Sequence, residues 1–436
     1  MKRNRKSLIS ALVLTLLAFQ NVMSQGKLKS EIENEVAEIE SKVIQWRRDF
    51  HEHPELGNQE VRTAGIIARH LKSLGIEVTE GVAKTGVVGL LKGAKEGPVI
   101  ALRADMDALP VIERVDLPFK SEVKTIYNGS ETGVMHACGH DSHMAILMGT
   151  AEILAKHKNE LKGTVKFIFQ PAEEGVFGEG IRFGADLMVA EGVLENPKVD
   201  VAFGLHINSQ TPAGQIHYRP GPTMAGVDQF YITVKGKQTH GAYPWSGVDP
   251  VSTASQIVMG LNTIVSRNVK LIDQPAVVSV GSIHGGNRHN IIPEEVKLVG
   301  TIRTLGVAQR ELVHRRIKEI AENIAKSAGA TAEVLIEPGY PVTENDPALT
   351  TQMLPSLKEA AGDQNVVEKS VVMGAEDFSY FAREVPGLFF FLGGMAPSMK
   401  PEEAPAHHTP DFRLDESGFG LGIKAFCFLV LDYQNK

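Results

Sequence analysis

The eight residues His136-Ala-Cys-Gly-His-Asp-Ser-His143 carry three imidazoles, a thiol and a carboxylate, and the chain next reads Gln170-Pro-Ala-Glu-Glu174. Thiolate, imidazole and carboxylate in two short segments form the ligand mixture that holds borderline divalent metals such as zinc and manganese. In an adjacent Glu pair, one carboxylate can bind metal while the other moves protons. The spacing predicts a metal-dependent hydrolase. Two other readings stand beside it. Single histidines and cysteines are commonly packed core groups, and a cysteine near a histidine can be a nucleophile with its base. The nucleophile reading leaves Glu173 and Glu174 without a task, although one Glu pair taken alone is an ordinary solvated turn.

The elements that must position these groups are legible in the apolar periodicity. Ile32, Val36, Ile39, Val43, Trp46 and Phe50 repeat at helical spacing, and a second helix reads from Glu60 to Leu74 with Gly75 as its stop. Val99 to Leu102, Val165 to Phe169 and Val201 to Leu205 are short apolar runs that predict buried strands. Met144, Leu147, Met148, Ala151 and Leu154 mark a helix face between them. This alternation predicts an α/β layer structure with a largely parallel sheet. Asp105 and Asp107 follow the first strand, Glu173 and Glu174 the second, and His206 the third. Open α/β sheets bind ligands in that crevice.

From about Pro222 the pattern changes to strand Phe230–Val234, helix Asp249 to Ser266, strands Val277–Ile283 and Val296–Ile302, a helix marked by Val313, Ile317, Ile320 and Ile324, and strand Ala332–Ile336. A β-α-β-β-α-β order is the split ferredoxin-like sandwich. Beyond Pro338 the chain returns to the first layer, with a strand at Leu388–Leu392 and a terminal helix from Gly418 to Tyr433. The expected organisation is therefore residues 25–221 and 338–436 as one α/β domain, with an α+β domain, 222–337, inserted into it.

Residues 1–24 are read apart from the globule. Lys2, Arg3, Arg5 and Lys6 precede the apolar run Leu8 to Phe19, and Val22-Met23-Ser24 offers small residues before Gln25. This is the pattern of a secretory signal peptide, too short to be a comfortable membrane span. Its removal takes the formal charge from −7 to −11. An acidic mature chain without a basic cluster argues against nucleic-acid binding. An exported protein with no membrane anchor after cleavage is expected. Cys138 and Cys427 are the only cysteines, and no disulfide is expected between them.

The motifs as a set resemble the amidohydrolase branch of the dinuclear metallopeptidases, which contains hippurate hydrolases, aminoacylases and hydrolases of indole-acetyl amino acids. The resemblance spans residues 30 to 434 and rests on Arg47-Asp-Phe-His-Glu-His-Pro-Glu55, Arg103-Ala-Asp-Met-Asp-Ala-Leu-Pro110, Met135-His-Ala-Cys-Gly-His-Asp141 and Gln170-Pro-Ala-Glu-Glu-Gly175. Gly204-Leu-His206, His240-Gly-Ala, Asn290-Ile-Ile-Pro293, Gly300-Thr-Ile-Arg303, Gly374-Ala-Glu-Asp-Phe378 and His408-Thr-Pro-Asp-Phe412 extend it.

What the resemblance implies is a catalytic three-layer domain of the zinc-exopeptidase type with an inserted dimerisation or lid domain. Cys138, His140, Glu174, His206 and His408 would hold two divalent ions, manganese or zinc, with His407 as the alternative to His408. Glu173 would be the general base and acid, and Asp107 would orient a ligand. His240 would polarise the scissile carbonyl in a partner subunit's site, making a homodimer the working unit. Asn290 and Arg303 would hold a substrate carboxylate. The implied activity is hydrolysis of the amide bond of N-acyl amino acids. A dipeptidase or carboxypeptidase on the same scaffold and a non-catalytic exported binding protein are the alternatives. Two departures bear on substrate choice. Trp245 follows Pro244 where many relatives carry His, and the Glu174–His206 stretch is long, with Phe177 to Arg182 as an added loop.

Overall fold

The computed structural model describes residues 3–175 and 182–435, with side chains from residue 25 onward. The expected signal peptide therefore lies outside the described side chains. Residues 177–181 of the expected added loop lie outside the described residues altogether. The chain forms two compact units, one of Met1–Tyr218, Asp346–Lys369 and Glu384–Lys436, the other of Arg219–Asn345 and Ser370–Arg383.

The first unit is built on an eight-stranded sheet. Its order is Glu77–Val82, Gly86–Lys92, Lys162–Gln170, Lys95–Asp105, Val201–Pro212, Gly387–Met395, Ile216–Tyr218, Val366–Glu368. The four strands from Lys162–Gln170 to Gly387–Met395 are mutually parallel, and antiparallel pairs flank them. Parallel strands are covered on both faces, so they read as continuous apolar runs. Every residue of Gly387–Met395 is buried accordingly. Helices Arg3–Glu52, His140–Lys156 and Phe419–Tyr433 pack on one another and share one core with the sheet. His140–Lys156 is buried over fourteen of its residues, so it is enclosed all round instead of one-faced.

Helix Val61–Ser73 begins with its free amides held by a residue outside it. Glu55 accepts from the Arg62 and Thr63 N–H groups at 3.0 and 2.8 Å. The third strand does not end at Leu205 but continues to Pro212, so His206 lies inside it. Pairing of His206 with Phe391 on Gly387–Met395 carries the ladder past the apolar run.

The second unit contains a four-stranded antiparallel sheet in the order Val277–Gly285, Glu295–Thr304, Gly226–Lys235, Thr331–Pro338. With helices Pro250–Arg267 and Val307–Ser327 it has the β-α-β-β-α-β order. Strand Gly226–Lys235 alternates buried and open positions, and Phe230, Ile232 and Val234 turn into a core shared with both helices. Asp249 caps Pro250–Arg267 by accepting from Val251 and Ser252 N–H, with Pro250 at the first helical position.

This unit is wider than the expected span 222–337. Gly221–Met224 pairs with Thr343–Asn345, and Ala225 N–H bonds the carbonyls of Val372 and Gly374 at 3.0 Å each. Those backbone bonds draw in 338–345 and 370–383, segments whose apolar pattern alone does not say which unit they join.

Candidate metal centre

Gly139 lies between Cys138 and His140 at φ +100°, a conformation that glycine adopts without strain. A Cβ there would lie 2.5 Å from Ile207 Cγ2. The turn delivers Cys138 just before the His140–Lys156 helix and His140 at its first position. Ala172, two residues before Glu174, and His408 itself also have positive φ, +54° and +61°. Each left-handed non-glycine residue costs about 1–2 kcal/mol and persists only where its surroundings hold it. Two of the segments that carry candidate ligands thus hold a strained backbone residue.

Four donor atoms gather around the Cys138 thiol. His206 Nε2 lies 3.4 Å and His408 Nε2 3.3 Å from Cys138 Sγ. His408 Nε2 is 3.0 Å from Glu174 Oε1, and His140 Nε2 is 4.0 Å from the same oxygen. Ligand atoms of Cys138, His140 and Glu174 lie within 4.8 Å of one another. The ring protons are accounted for elsewhere. His140 Nδ1–H donates to the Asp107 carbonyl at 2.9 Å, and His206 Nδ1–H donates to the Ile207 carbonyl at 2.7 Å. In the neutral rings, both Nε2 atoms therefore present lone pairs, the arrangement of metal-ligating imidazoles. His140 Nε2 is buried with no hydrogen-bond partner. A thiol carries one hydrogen and can donate to only one of the two rings. The donor set fits a cation better than it fits itself.

Electrostatics agree. Burial pushes the Cys138 thiol well up, and the carboxylates of Glu174, Glu173 and Asp105 push it further. A thiol so placed is a poor nucleophile without a nearby positive charge. Burial opposes protonation of His140, but Asp105, Asp107 and Glu174 outweigh it and raise the imidazole to about 10. Burial, with His143 and His407 nearby, holds His206 well below its usual range. The field favours positive charge at the centre of the group while His206 stays neutral.

Two neighbouring histidines are already engaged. His143 donates to Asp105 Oδ1 at 2.6 Å and accepts from Ile207 N–H at 2.8 Å. His407 donates to the Cys138 carbonyl at 3.1 Å and accepts from Ser209 N–H at 3.2 Å. His407 comes within reach of Cys138 and His206, as His143 does of Asp105 and His140. With both nitrogens bonded, these two rings support the site instead of offering a lone pair. His136 is buried with neither nitrogen hydrogen-bonded, and burial lowers it to about 3.

Supporting carboxylates surround the donors. Asp107 Oδ2 accepts from Glu174 N–H at 2.8 Å, and its Oδ1 lies 3.3 Å from His140 Nδ1. Asp105 is paired to Arg103 at 2.7 Å behind His143. Asp141, next to His140, is bonded by His51 at 2.7 Å and paired with the buried Arg47 at 2.9 Å. Glu173 is buried, its Oε2 3.9 Å from His140 Nε2. Sequence reasoning passed over Asp105 and His143 as supports. Their signal was present in His143, three positions after His140 and hence on the same helix face.

In the second unit, His240 and Asn290 are neighbours. Strand Thr239–His240 pairs with Ile291–Ile292, and Gly241 N–H bonds the Asn290 carbonyl at 2.8 Å. Ala242 N–H donates to His240 Nδ1 at 3.0 Å, which leaves Nε2 of the exposed ring to carry the proton. Arg303, on Glu295–Thr304, is half-buried with no ion-pair partner among the described residues. Trp245 is 77% exposed and packs edge-on to Tyr243, which in turn meets His240.

Residues 101–432 match the family described as peptidase family M20/M25/M40. The chain belongs to this family. It is similar to thermostable carboxypeptidase 1 of Saccharolobus solfataricus, with 42% identity over 94% of this chain and all of that protein. It is 40% identical to an N-acetylcysteine deacetylase of Bacillus subtilis, over 90% of this chain and 96% of the relative. Among solved structures it resembles the Bacillus subtilis YXEP protein, a dinuclear metal-binding peptidase of family M20, with TM-score 0.76 and 37% identity. That match covers 92% of this chain and 99% of the other. The chain is a metal-dependent hydrolase of amide or peptide bonds.

Proposed function

We propose that the protein hydrolyses the amide bond of N-acyl amino acids to a carboxylic acid and a free amino acid, using two divalent ions, manganese or zinc. The observation that carries this reading is the meeting of three imidazole Nε2 atoms and the Glu174 carboxylate at one buried thiol, with Glu173 beside them. The similarity to an N-acetylcysteine deacetylase supports the substrate class. When held by Cys138, His140, Glu174, His206 and His408, the ions would acidify a water and polarise the carbonyl under attack. Glu173 takes the proton of the attacking water and returns it to the leaving amine. Asp107 fixes the Glu174 amide and the His140 ring. Arg303 and Asn290 grip the substrate carboxylate, for which the guanidinium offers a planar fork.

His240 donates from Nε2 to the oxygen that gains charge, in an oxyanion role. In this reading it serves the site of a second subunit, so the working unit is a homodimer formed through the second unit. The basic and apolar residues of 1–24 support export to the periplasm or medium, with the mature chain beginning near Gln25. Carboxypeptidase action is the second reading, favoured by the similarity to a thermostable carboxypeptidase.

The test measures hydrolysis of N-acetyl and N-benzoyl amino acids against dipeptides, with elemental analysis of metal. About two equivalents per subunit are expected, in keeping with a co-catalytic pair. Glu173→Gln should keep the metal and lose on the order of 10²–10⁴ in rate. Glu174→Gln should lose metal. Full activity in a metal-free preparation refutes the proposal.

A further inference from the structure

Glu60 is a carboxyl with no solvent contact that the mechanism above does not use. It occupies the N-cap position of Val61–Ser73 yet makes no side-chain bond to that helix, whose first amides are held by Glu55. Its side chain points elsewhere. Oε1 accepts from Ala172 N–H at 2.9 Å, and Oε2 accepts from the Thr85 hydroxyl at 2.6 Å. We propose that Glu60 is a positioning residue, which by holding the Ala172 amide aims the Glu173 carboxylate for proton transfer.

The geometry of the Pro171–Gly175 loop carries the argument. Ala172 sits in the left-handed region, where an alanine stays only if its neighbours hold it. Gly175 N–H closes the turn onto the Ala172 carbonyl at 3.3 Å. Two carboxyl groups grip this turn from separate segments, Glu60 at the Ala172 amide and Asp107 at the Glu174 amide. Glu173 is the residue between those two amides. Gly57 closes the other side, since a Cβ there would lie 3.1 Å from both Ala172 Cβ and the Gly175 carbonyl oxygen.

Asp107 orients the ligand Glu174, and Glu60 performs the corresponding task two peptides earlier. Two buried acids so close are unfavourable together. Burial and Asp107 raise Glu60 to about 7, so it is partly neutral near neutral pH. The carboxyl is thus bonded to the catalytic turn and to Thr85 instead of to its own helix.

The proposal rests on Glu173 being the general base, so the experiment separates the two. Glu60→Ala and Glu60→Gln are made in the wild type and in Glu173→Gln, and kcat, KM, metal content and melting temperature are read for each. Glu60→Ala should keep metal and KM and lose on the order of 10² in kcat, the scale of an ångström misplacement. Glu60→Gln keeps an acceptor for Ala172 and can donate to Thr85, so it should restore most of the rate. On the Glu173→Gln background, Glu60→Ala should cost little more. If Glu60→Ala does not fold, Glu60→Leu, which fills the space without an acceptor, takes its place in the comparison. Unchanged kcat in the acceptor-less variant, a loss shared by Glu60→Gln, or a full additional loss on the Glu173→Gln background overturns the proposal. Failure of the base reading shows instead as near-normal turnover of Glu173→Gln alone.

Discussion

His407 and His408 are adjacent, yet His407 has both ring nitrogens bonded while His408 turns Nε2 to Cys138 and Glu174, and a pair of substitutions tests the proposed division of tasks. His407→Phe keeps a ring against Phe412, whose centroid lies 4.8 Å away, and removes both nitrogens. The Cys138 carbonyl and the Ser209 amide then lose their partners. Each buried group left unpaired costs about 1–3 kcal/mol, so the variant should be less stable by about 2–6 kcal/mol. Its metal affinity should fall by no more than about 10–100-fold, the range for a residue that supports a ligand. His408 is the reverse case. Its side chain is 51% exposed, and asparagine tolerates the left-handed backbone there. His408→Asn should change apoprotein stability by about 0.5 kcal/mol or less. It removes the Nε2 that faces Cys138 and Glu174, so metal loss should exceed the about 100-fold bound of a supporting residue. Urea unfolding of metal-free protein measures the first quantity, and competition with a chelator measures the second. The reasoning is refuted if His408→Asn keeps its metal while His407→Phe loses metal without losing stability.

Three further outcomes are expected. Burial tends to raise Asp228, but bonds from His314 and Arg310 outweigh it and hold the carboxyl below its usual range, so its stabilisation is present above the unfolded value and lost as pH falls through the folded one. Asp228→Asn should cost about 1–3 kcal/mol at pH 7 and flatten the acid limb of the stability curve, measured by urea midpoints from pH 6 to 3; an unchanged limb would count against the pairing. Wild type should strongly prefer an N-acyl amino acid to its carboxamide, and Arg303→Ala should lose most of that preference, whereas equal cleavage of both by wild type would remove Arg303 from substrate binding. Mixing His240→Ala with Glu173→Gln subunits should restore activity through the hybrid site with both wild-type groups, and no recovery after demonstrated subunit exchange would place His240 elsewhere.

The residue types and the order of elements are properties of short stretches, and for that reason they are legible in the sequence. Cys138, His140 and Glu174 are recognisable because thiol, imidazole and carboxylate at close spacing have few other uses. The β-α-β-β-α-β unit is legible because apolar periodicity records which face of each element is buried. The extension of the third strand past His206 is not, since it depends on pairing with Phe391, far along the chain.

The choice among paired histidines also belongs to the tertiary structure. In its neutral form His140 keeps a lone pair on Nε2 because its Nδ1 proton goes to the Asp107 carbonyl, while His143 is closed off by Asp105 and by the Ile207 amide. His407 is closed off by Cys138 and Ser209 in the same way, and His408 is left facing the thiol. Glu60 reads from the sequence as the start of a helix; only the folded chain shows its carboxyl turned away, onto an amide 112 residues later. Local sequence sets which chemical groups are available and which faces are apolar. Which lone pair, proton or amide each group meets is set by backbone brought from distant segments, and hydrogen bonds of that kind leave no periodicity in the sequence.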